Sequence, residues 1–344
     1  MKKSLVALAV LGSIAGVAQA QSSVNLYGMV DLYAARIKSG AVGAQSSTSV
    51  LNSGGLAQSR YGLQGSEDLG GGLKALFKLE QGFDASNGTV LQPTAVPLAG
   101  GAFNRQSWIG LEGGFGLVQF GTVFAAMDDT FYIGSSLFDS FVFSPGAAGF
   151  ALGGQPVMSV YNYAFIKNNA VKYTTPNMGG FVASVSHSLK ESSAATATNQ
   201  TDFSVMYANG PLSVALAYEK INNGGITAGT DAKLTYATAS YDLGVVVVRG
   251  GVGSTRQVLA TKTNDYQVGV DVPLSSALTL STGFASSSDK DGSGTKRNGI
   301  AVGATYALSK RTLAYAVLNS SKREVSGATT DKFSFIGAGL QHKF

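Results

Sequence analysis

The chain lacks cysteine altogether and is poor in histidine, with two, in tryptophan, with one, and in proline, with seven among 344 residues. The absence of cysteine excludes disulfide frameworks, thiol nucleophiles and cysteine-ligated zinc. Two histidines leave little for histidine-bound metals or catalytic triads. Charge is scarce as well: 13% of residues are Asp, Glu, Lys or Arg, against roughly 25% in an average soluble domain. Long hydrophobic runs are missing too. Beyond residue 20 no stretch approaches the roughly 18 consecutive apolar residues that a spanning helix needs, and the mean hydropathy is only +0.15. The composition therefore argues against both an ordinary soluble enzyme and a helical membrane bundle. What the chain has instead is glycine, 45 residues or about twice the usual share, with 18 Phe and 14 Tyr.

Residues 1–20 read MKKSLVALAVLGSIAGVAQA. A basic start at Lys2 and Lys3, a short apolar stretch and an A-x-A ending describe a secretory signal peptide rather than a membrane helix. The domain division expected is 1–20 leader and 21–344 mature chain, beginning at Gln21. The mature part holds 23 basic and 20 acidic residues. This small, scattered excess is no nucleic-acid footprint.

From there on the sequence alternates with period two, the pattern of a half-buried strand. Leu73, Ala75, Phe77 and Leu79 oppose Lys74, Leu76, Lys78 and Glu80. Val24, Leu26, Gly28, Val30 and Leu32 oppose Asn25, Tyr27, Met29, Asp31 and Tyr33. The runs 212–220, 266–272 and 300–306 behave alike. One face is apolar and the other is small and polar. Short turns fall at 67–72, 112–116, 176–180, 209–211, 242–244, 273–277 and 308–310. They alternate with longer polar stretches at 39–56, 82–102, 122–158, 190–200, 222–230, 257–264, 287–296 and 324–331. Fifteen connections join sixteen strands, including 57–66, 103–111, 117–121 and 160–175. The expected fold class is all-β: a 16-stranded antiparallel transmembrane β-barrel with short periplasmic turns and long outer loops. In lipid every backbone polar group must be paired, so a spanning sheet has to close. A secreted β-sandwich or solenoid accounts for the alternation but not for the short and long rhythm.

Several segments carry a family resemblance: SVNLYGMVD (23–31), SRYGLQGSEDLGGGLKALFKLE (59–80), RQSWIGLEGGFGLVQFGT (105–122), NNAVKYTTPNMGGF (168–181) and GAGLQHKF ending on Phe344. In this order, spread over the whole mature chain, they resemble the Gram-negative general porins, specifically the trimeric outer-membrane porins of β-proteobacteria. The resemblance implies a homotrimer in contact with outer-membrane lipid and lipopolysaccharide, a third loop (122–158) folded into the lumen, and a C-terminal Phe344 signal for the outer-membrane assembly machinery. It implies a passive pore for small hydrophilic solutes, with no cofactor, no metal and no enzymatic activity.

A sixteen-stranded lumen holds water rather than packed side chains, and its narrowest cross-section sets permeation. The third loop carries Asp128, Asp129 and Asp139 and no Lys or Arg. Opposite it, Arg60 shares parity with Gln58, Gln64 and Ser66 and should face water. Arg105 shares parity with Ser107, opposite Trp108. Lys78 lies with Lys74 on the polar face of its strand. The resemblance places Arg60 and Arg105 at the constriction. Parity outward from Val171 and Tyr173 puts Lys172 in the lumen and Lys167 outside it, unless a bulge intervenes. Two departures weaken the basic side: Thr122 follows Gly121, and Lys167 precedes the Asn168–Asn169 pair, where these porins commonly carry Arg. A mild anion preference is expected. Neither Ser186–His187–Ser188, nor the glycines of 70–72 before Lys74, nor Asp289 and Asp291 has the spacing of a triad, a phosphate loop or a calcium loop. An adhesin would need large outer loops, and a barrel enzyme would need converging His, Ser and Asp. A chain exported by a Gram-negative host should begin at Gln21 by mass spectrometry; a retained Met1 would contradict the leader.

Overall fold

The computed structural model describes residues 23–90, 101–135, 137, 140, 142–147, 156–194, 197–224, 230–257 and 262–344. The leader, Gln21 and Asp139 lie outside the described residues. Among them, seventeen strands form one antiparallel sheet. These are β1 (Ser23–Ala41), β2 (Ser46–Ser53), β3 (Arg60–Gly70), β4 (Leu73–Gly82), β5 (Gln106–Gly113), β6 (Gly116–Phe124), β7 (Ile166–Thr174), β8 (Phe181–Ser188) and β9 (Asn199–Asn209). The return half comprises β10 (Leu212–Asn222), β11 (Ala232–Asp242), β12 (Val247–Gln257), β13 (Lys262–Pro273), β14 (Leu278–Asp289), β15 (Lys296–Ala307), β16 (Thr312–Val325) and β17 (Ala328–Lys343). The sheet closes on itself where β1 pairs with β17, from Met29 opposite Lys343 to Ala41 opposite Asp331.

Seventeen segments make sixteen staves. Both β2 and β3 pair with β1, β2 along Leu32–Ser39 and β3 along Ser23–Met29. They are two halves of one stave, interrupted at 54–59. This corrects the sequence reading of 39–56 as a long loop: the first outer connection is only 42–45, and 46–53 stays in the ladder. The last connection is likewise a tight turn at 326–327 rather than a loop over 324–331. Ser- and Thr-rich segments look like loops in composition, yet where water lies on one side they can run on as strand above the lipid. The third loop is longer than the sequence suggested, since β7 begins only at Ile166 and 159–162 form a 3-10 turn.

The alternation of the sequence becomes the two faces of the wall. Ile109, Val252 and Ile300 are 63%, 60% and 51% exposed on the outer face. Their neighbours one residue away, such as Gly110, Gly251 and Ala301, point inward. An outer face of Leu, Val, Ile, Phe and Tyr suits hydrocarbon, and an inner face of small and polar residues suits a wet lumen. Closure depends on the C-terminus: the Phe344 and Gly28 backbones exchange two hydrogen bonds, each 3.0 Å. The Phe344 ring lies where a Cβ on residue 28 would stand, so only glycine fits there.

The interruption at 54–59 would orphan buried amides, and Asp31 satisfies them. One of its oxygens accepts from Gly55 N at 3.0 Å and from the Tyr315 hydroxyl; the other accepts from Leu56 N, Ala57 N and Gln341 Nε2, each at 3.0 Å. The carboxylate is fully buried and ties the first stave to the last two. Each buried donor left unsatisfied costs about 1–3 kcal/mol. Asp31→Ala should therefore reduce the unfolding free energy of the barrel by a total of about several kcal/mol and lower its urea midpoint accordingly, with Asp31→Asn between the two. Equal midpoints for all three proteins would contradict this role.

Candidate functional site

The connection 125–165 between β6 and β7 decides what the lumen looks like. Its amides and carbonyls bond to polar side chains around more than half the wall. Met127 N donates to Asp202 on β9 (2.6 Å), Ala164 N to Glu219 on β10 (3.0 Å) and Val160 N to Asp265 on β13 (2.8 Å). Arg249 on β12 donates to the Tyr132 and Ile133 carbonyls at 3.2 and 3.1 Å. Asn319 on β16 reaches the Phe143 carbonyl, and Ser140 donates to Gly55 O at 2.6 Å. Asp202, Asp265, Arg249 and Asn319 each adjoin an exposed apolar residue of the outer face, Phe203, Tyr266, Val248 and Leu318, so the segment lies against the inner face. A single connection touching β9, β16 and the β2–β3 interruption has to run inside the ring of strands.

Aromatic packing adds to these bonds. Phe131, in a short helix over Phe131–Gly134, stacks on Tyr163 at 4.3 Å and on Tyr236 of β11 at 4.6 Å. Phe143 packs among Tyr33, Phe335 and Tyr315 at 5.1–5.6 Å. Each such pair adds about 0.5–1.5 kcal/mol beyond the area it buries.

Arg60, Lys78 and Arg105, named from the sequence, gather on one inner patch. Glu80, at the lumen end of β4, is their common centre. Arg105 Nε donates to it at 2.7 Å, Arg60 Nε lies 3.5 Å away, Lys78 Nζ 3.7 Å, and the Tyr27 hydroxyl donates at 2.8 Å. Arg105 also donates to Gln58 and lies over the Phe124 ring. Three cations on one carboxylate leave the patch net positive. The inward position of Arg105 has a different cause from the parity first assigned. On β5 it is Gln106 and Trp108 that face inward, joined by an indole N–H bond of 3.0 Å, while Ser107 shares the outer face with Ile109. Arg105 escapes the alternation because it sits in the bend before the strand. Glu80 was not singled out in the sequence; its i, i+2 spacing from Lys78 was the available signal.

The acidic residues Asp128 and Asp129 sit at the start of the loop. Asp129 pairs with Lys172 of β7 at 2.9 Å, and Asp128 accepts from the Tyr163 hydroxyl. Enclosure in the loop pushes the Asp128 carboxyl up to about 6, the Tyr163 bond offsetting part of the burial. Burial likewise raises Asp129, with Lys172 opposing.

Lys167 faces inward, not outward. Between β6 and β7 the register steps from Gly121–Ala170 to Val123–Lys167, which leaves one extra residue on β7. Asn169 has φ +51°, a conformation asparagine tolerates better than most residues. This bulge reverses the parity. The Asn168–Asn169 pair inside an alternating strand was its signal. Lys167 Nζ then lies 2.7 Å from Glu219 and 3.4 Å from Asp202, all three side chains at 0% exposure. These are the same two carboxylates that hold Met127 N and Ala164 N, so Lys167 neutralises the clamp on both roots of the loop. His187 faces out and bonds Thr201, and Asp291 caps its own turn at Ser293 N.

With this geometry in view, the comparisons agree. The profile of the Gram-negative porin family matches residues 7–326. An outer membrane porin protein of Delftia acidovorans is 35% identical over 92% of this chain and 89% of its own. Another, of Bordetella pertussis, is 31% identical over the full length of both. Among solved structures, an anion-selective porin from Comamonas acidovorans superposes with a TM-score of 0.76 at 29% identity, over 94% of this chain and 100% of that one.

Removing one partner of a buried ion pair costs about 3–5 kcal/mol because the other charge stays buried. Lys167→Met should reduce stability by that order in urea unfolding. Lys167→Met/Glu219→Gln should recover part of the loss. A double variant no better than the single one would show that the lysine acts through packing alone.

Proposed function

The chain belongs to the Gram-negative porin family, and on that premise we propose that it is an outer-membrane channel for passive diffusion of small hydrophilic solutes and ions, with a mild anion preference. The proposed constriction lies between Arg60, Lys78 and Arg105 on the wall and Asp128 and Asp129, with Lys172, at the loop; Asp139 belongs to the same loop. The observation that carries this reading is the gathering of Arg60, Lys78 and Arg105 on the single carboxylate of Glu80, a net positive patch, while the acid Asp129 of the loop is itself paired with Lys172. Unit charges about 8 Å apart at an effective dielectric near 20 interact by roughly 2 kcal/mol. That biases ions without blocking them, and the transverse field favours solutes that can align a dipole. Glu80 moderates the positive side, as do Thr122 and Lys167, which is spent on the loop clamp. The preference is therefore mild. A homotrimer in the outer membrane, an exported mature chain from Gln21 and assembly through Phe344 complete the proposal. The seat of Phe344 on Gly28 supports the last of these.

In planar bilayers under a salt gradient, Arg60→Ser/Arg105→Ser should raise single-channel conductance and move the reversal potential toward cations. An unchanged reversal potential would remove these arginines from the constriction.

Acid should strengthen the anion preference. A carboxyl raised to about 6 is charged above that pH and neutral below it. Its contribution to loop docking is complete below the ordinary carboxylate range and is lost as pH rises through 6. Lowering pH from 7.5 to 5 removes one negative charge from the loop. The reversal potential should shift toward anions with a midpoint near 6. Asp128→Asn should hold the acidic value at every pH; a pH response that survives this substitution would assign it elsewhere.

A further inference from the structure

The single tryptophan of the chain stands in the lumen. Other inward rings are engaged: Tyr33, Tyr315 and Phe335 hold Phe143, and Tyr236 holds Phe131. Among the described residues Trp108 stacks on no ring. Its indole N–H donates to Gln106 at 3.0 Å, which holds the ring by its edge. Two of the inward positions that flank it, Gly110 on the same strand and Gly121 opposite it on β6, carry no side chain to cover its faces. The residue is only half-buried.

Trp108 ends a row in direct register across four strands. Asn25 of β1 stands opposite Gln64 of β3, Gln64 opposite Lys78 of β4, and Lys78 opposite Trp108 of β5. Their chain neighbours Leu26, Leu63 and Ile109 are exposed on the outer face, so the row points into the lumen. It runs two residues along the strands from Glu80 and Gln106, on the side of the short turns, just past the gathered arginines. Two carboxamides, an ammonium and an indole thus follow one another at the spacing of neighbouring strands, about 5 Å. Lys78 Nζ lies 3.7 Å from Glu80 and 5.4 Å from the centre of the Tyr27 ring. Glu80 is shared with Arg60 and Arg105, so one carboxylate answers three cations and the ammonium still attracts a passing anion.

We propose that this row is a binding step for aromatic carboxylates: the ring of the solute lies on the Trp108 indole, and its carboxylate takes the Lys78 ammonium and the amide N–H groups of Gln64 and Asn25. The inference deepens the proposed function and rests on the channel reading of the lumen. Its chemistry follows from the order of the groups. Aromatic rings attract one another in offset or edge-to-face contact. A carboxylate on such a ring is carried about one strand spacing to the side, where a cation and hydrogen-bond donors stand. Hydrogen bonds to an ionised group are the strong ones. A small inorganic anion gains the ammonium alone, and a neutral ring gains the indole alone; a solute with both spans the row. A sugar acid also carries a carboxylate, but its hydroxyls need polar partners all round the ring, and the flanking positions Gly110 and Gly121 offer no side chain.

Trp108 reports on the step by itself, because no other indole contributes to the emission of the chain. The folded barrel in detergent is titrated with para-nitrobenzoate, whose ring quenches indole emission on contact, and with its neutral analogue para-nitrobenzamide. Quenching by the acid should saturate, with a half-saturation concentration at least about five-fold below that of the amide, and benzoate should relieve it. Lys78→Gln should bring the two probes together. Equal half-saturation for the two probes on the wild type, or quenching by the acid that never saturates, would overturn the proposal. So would relief by glucuronate at a lower concentration than by benzoate, which would assign the step to sugar acids. If Lys78→Gln does not fold, the comparison of the two probes on the wild type decides alone. Chloride conductance of the same preparation in planar bilayers keeps the two readings apart: saturable quenching without conductance would retain the step and strike the channel, and conductance without saturable quenching would do the reverse.

Discussion

The structure depends on one constraint: in hydrocarbon a backbone N–H or C=O has no water to bond, so each must find a partner in the chain. A sheet meets this demand only by closing, and here closure runs through the pairing of β1 with β17 and the seat of Phe344 on Gly28. Once the ring is closed, alternation leaves half of every strand facing a lumen too wide for wall side chains to fill. The same demand explains Asp31. Where the first returning stave is interrupted, a buried carboxylate accepts the amides that the ladder no longer takes up.

The loop over 125–165 repeats this logic inside the barrel. Entering the lumen takes its backbone away from bulk water, and the wall answers with Asp202, Glu219, Asp265, Arg249 and Asn319. Two carboxylates at the loop roots would repel each other and resist burial; Lys167 between them makes the clamp tolerable. The charges available for solutes are those left over from this structural work. Lys167 is consumed by it, whereas Arg60, Lys78 and Arg105 share only one carboxylate.

The outer face shows a different economy of charge. Inward-facing ions have partners within a few ångströms, as Arg249 has in Asp271 and Arg297 in Asp289. Among the described residues, no carboxylate pairs with the outward basic row on β10–β13, Lys220, Lys233, Arg256 and Lys262. That contrast, drawn among the described residues, is visible only when register and parity are known together.

The sequence by itself determined the fold class, the sixteen staves, most of the turns and the face of nearly every strand residue, because a period of two is a local property written along each strand. It also marked Arg60, Lys78, Lys172 and the loop acids as candidates. Tertiary structure decided the rest. The stave interrupted at 54–59 and the extended outer ends of β2 and β17 depend on partners far away in the chain, Asp31 among them. Arg105 faces inward through a bend that parity does not describe, and Lys167 through a single extra residue at Asn169. One residue of register reverses every side chain beyond it, and whether that residue is accommodated is settled by what waits on the other side: for Lys167, the buried carboxylates of Asp202 and Glu219, 35 and 52 positions along the sequence.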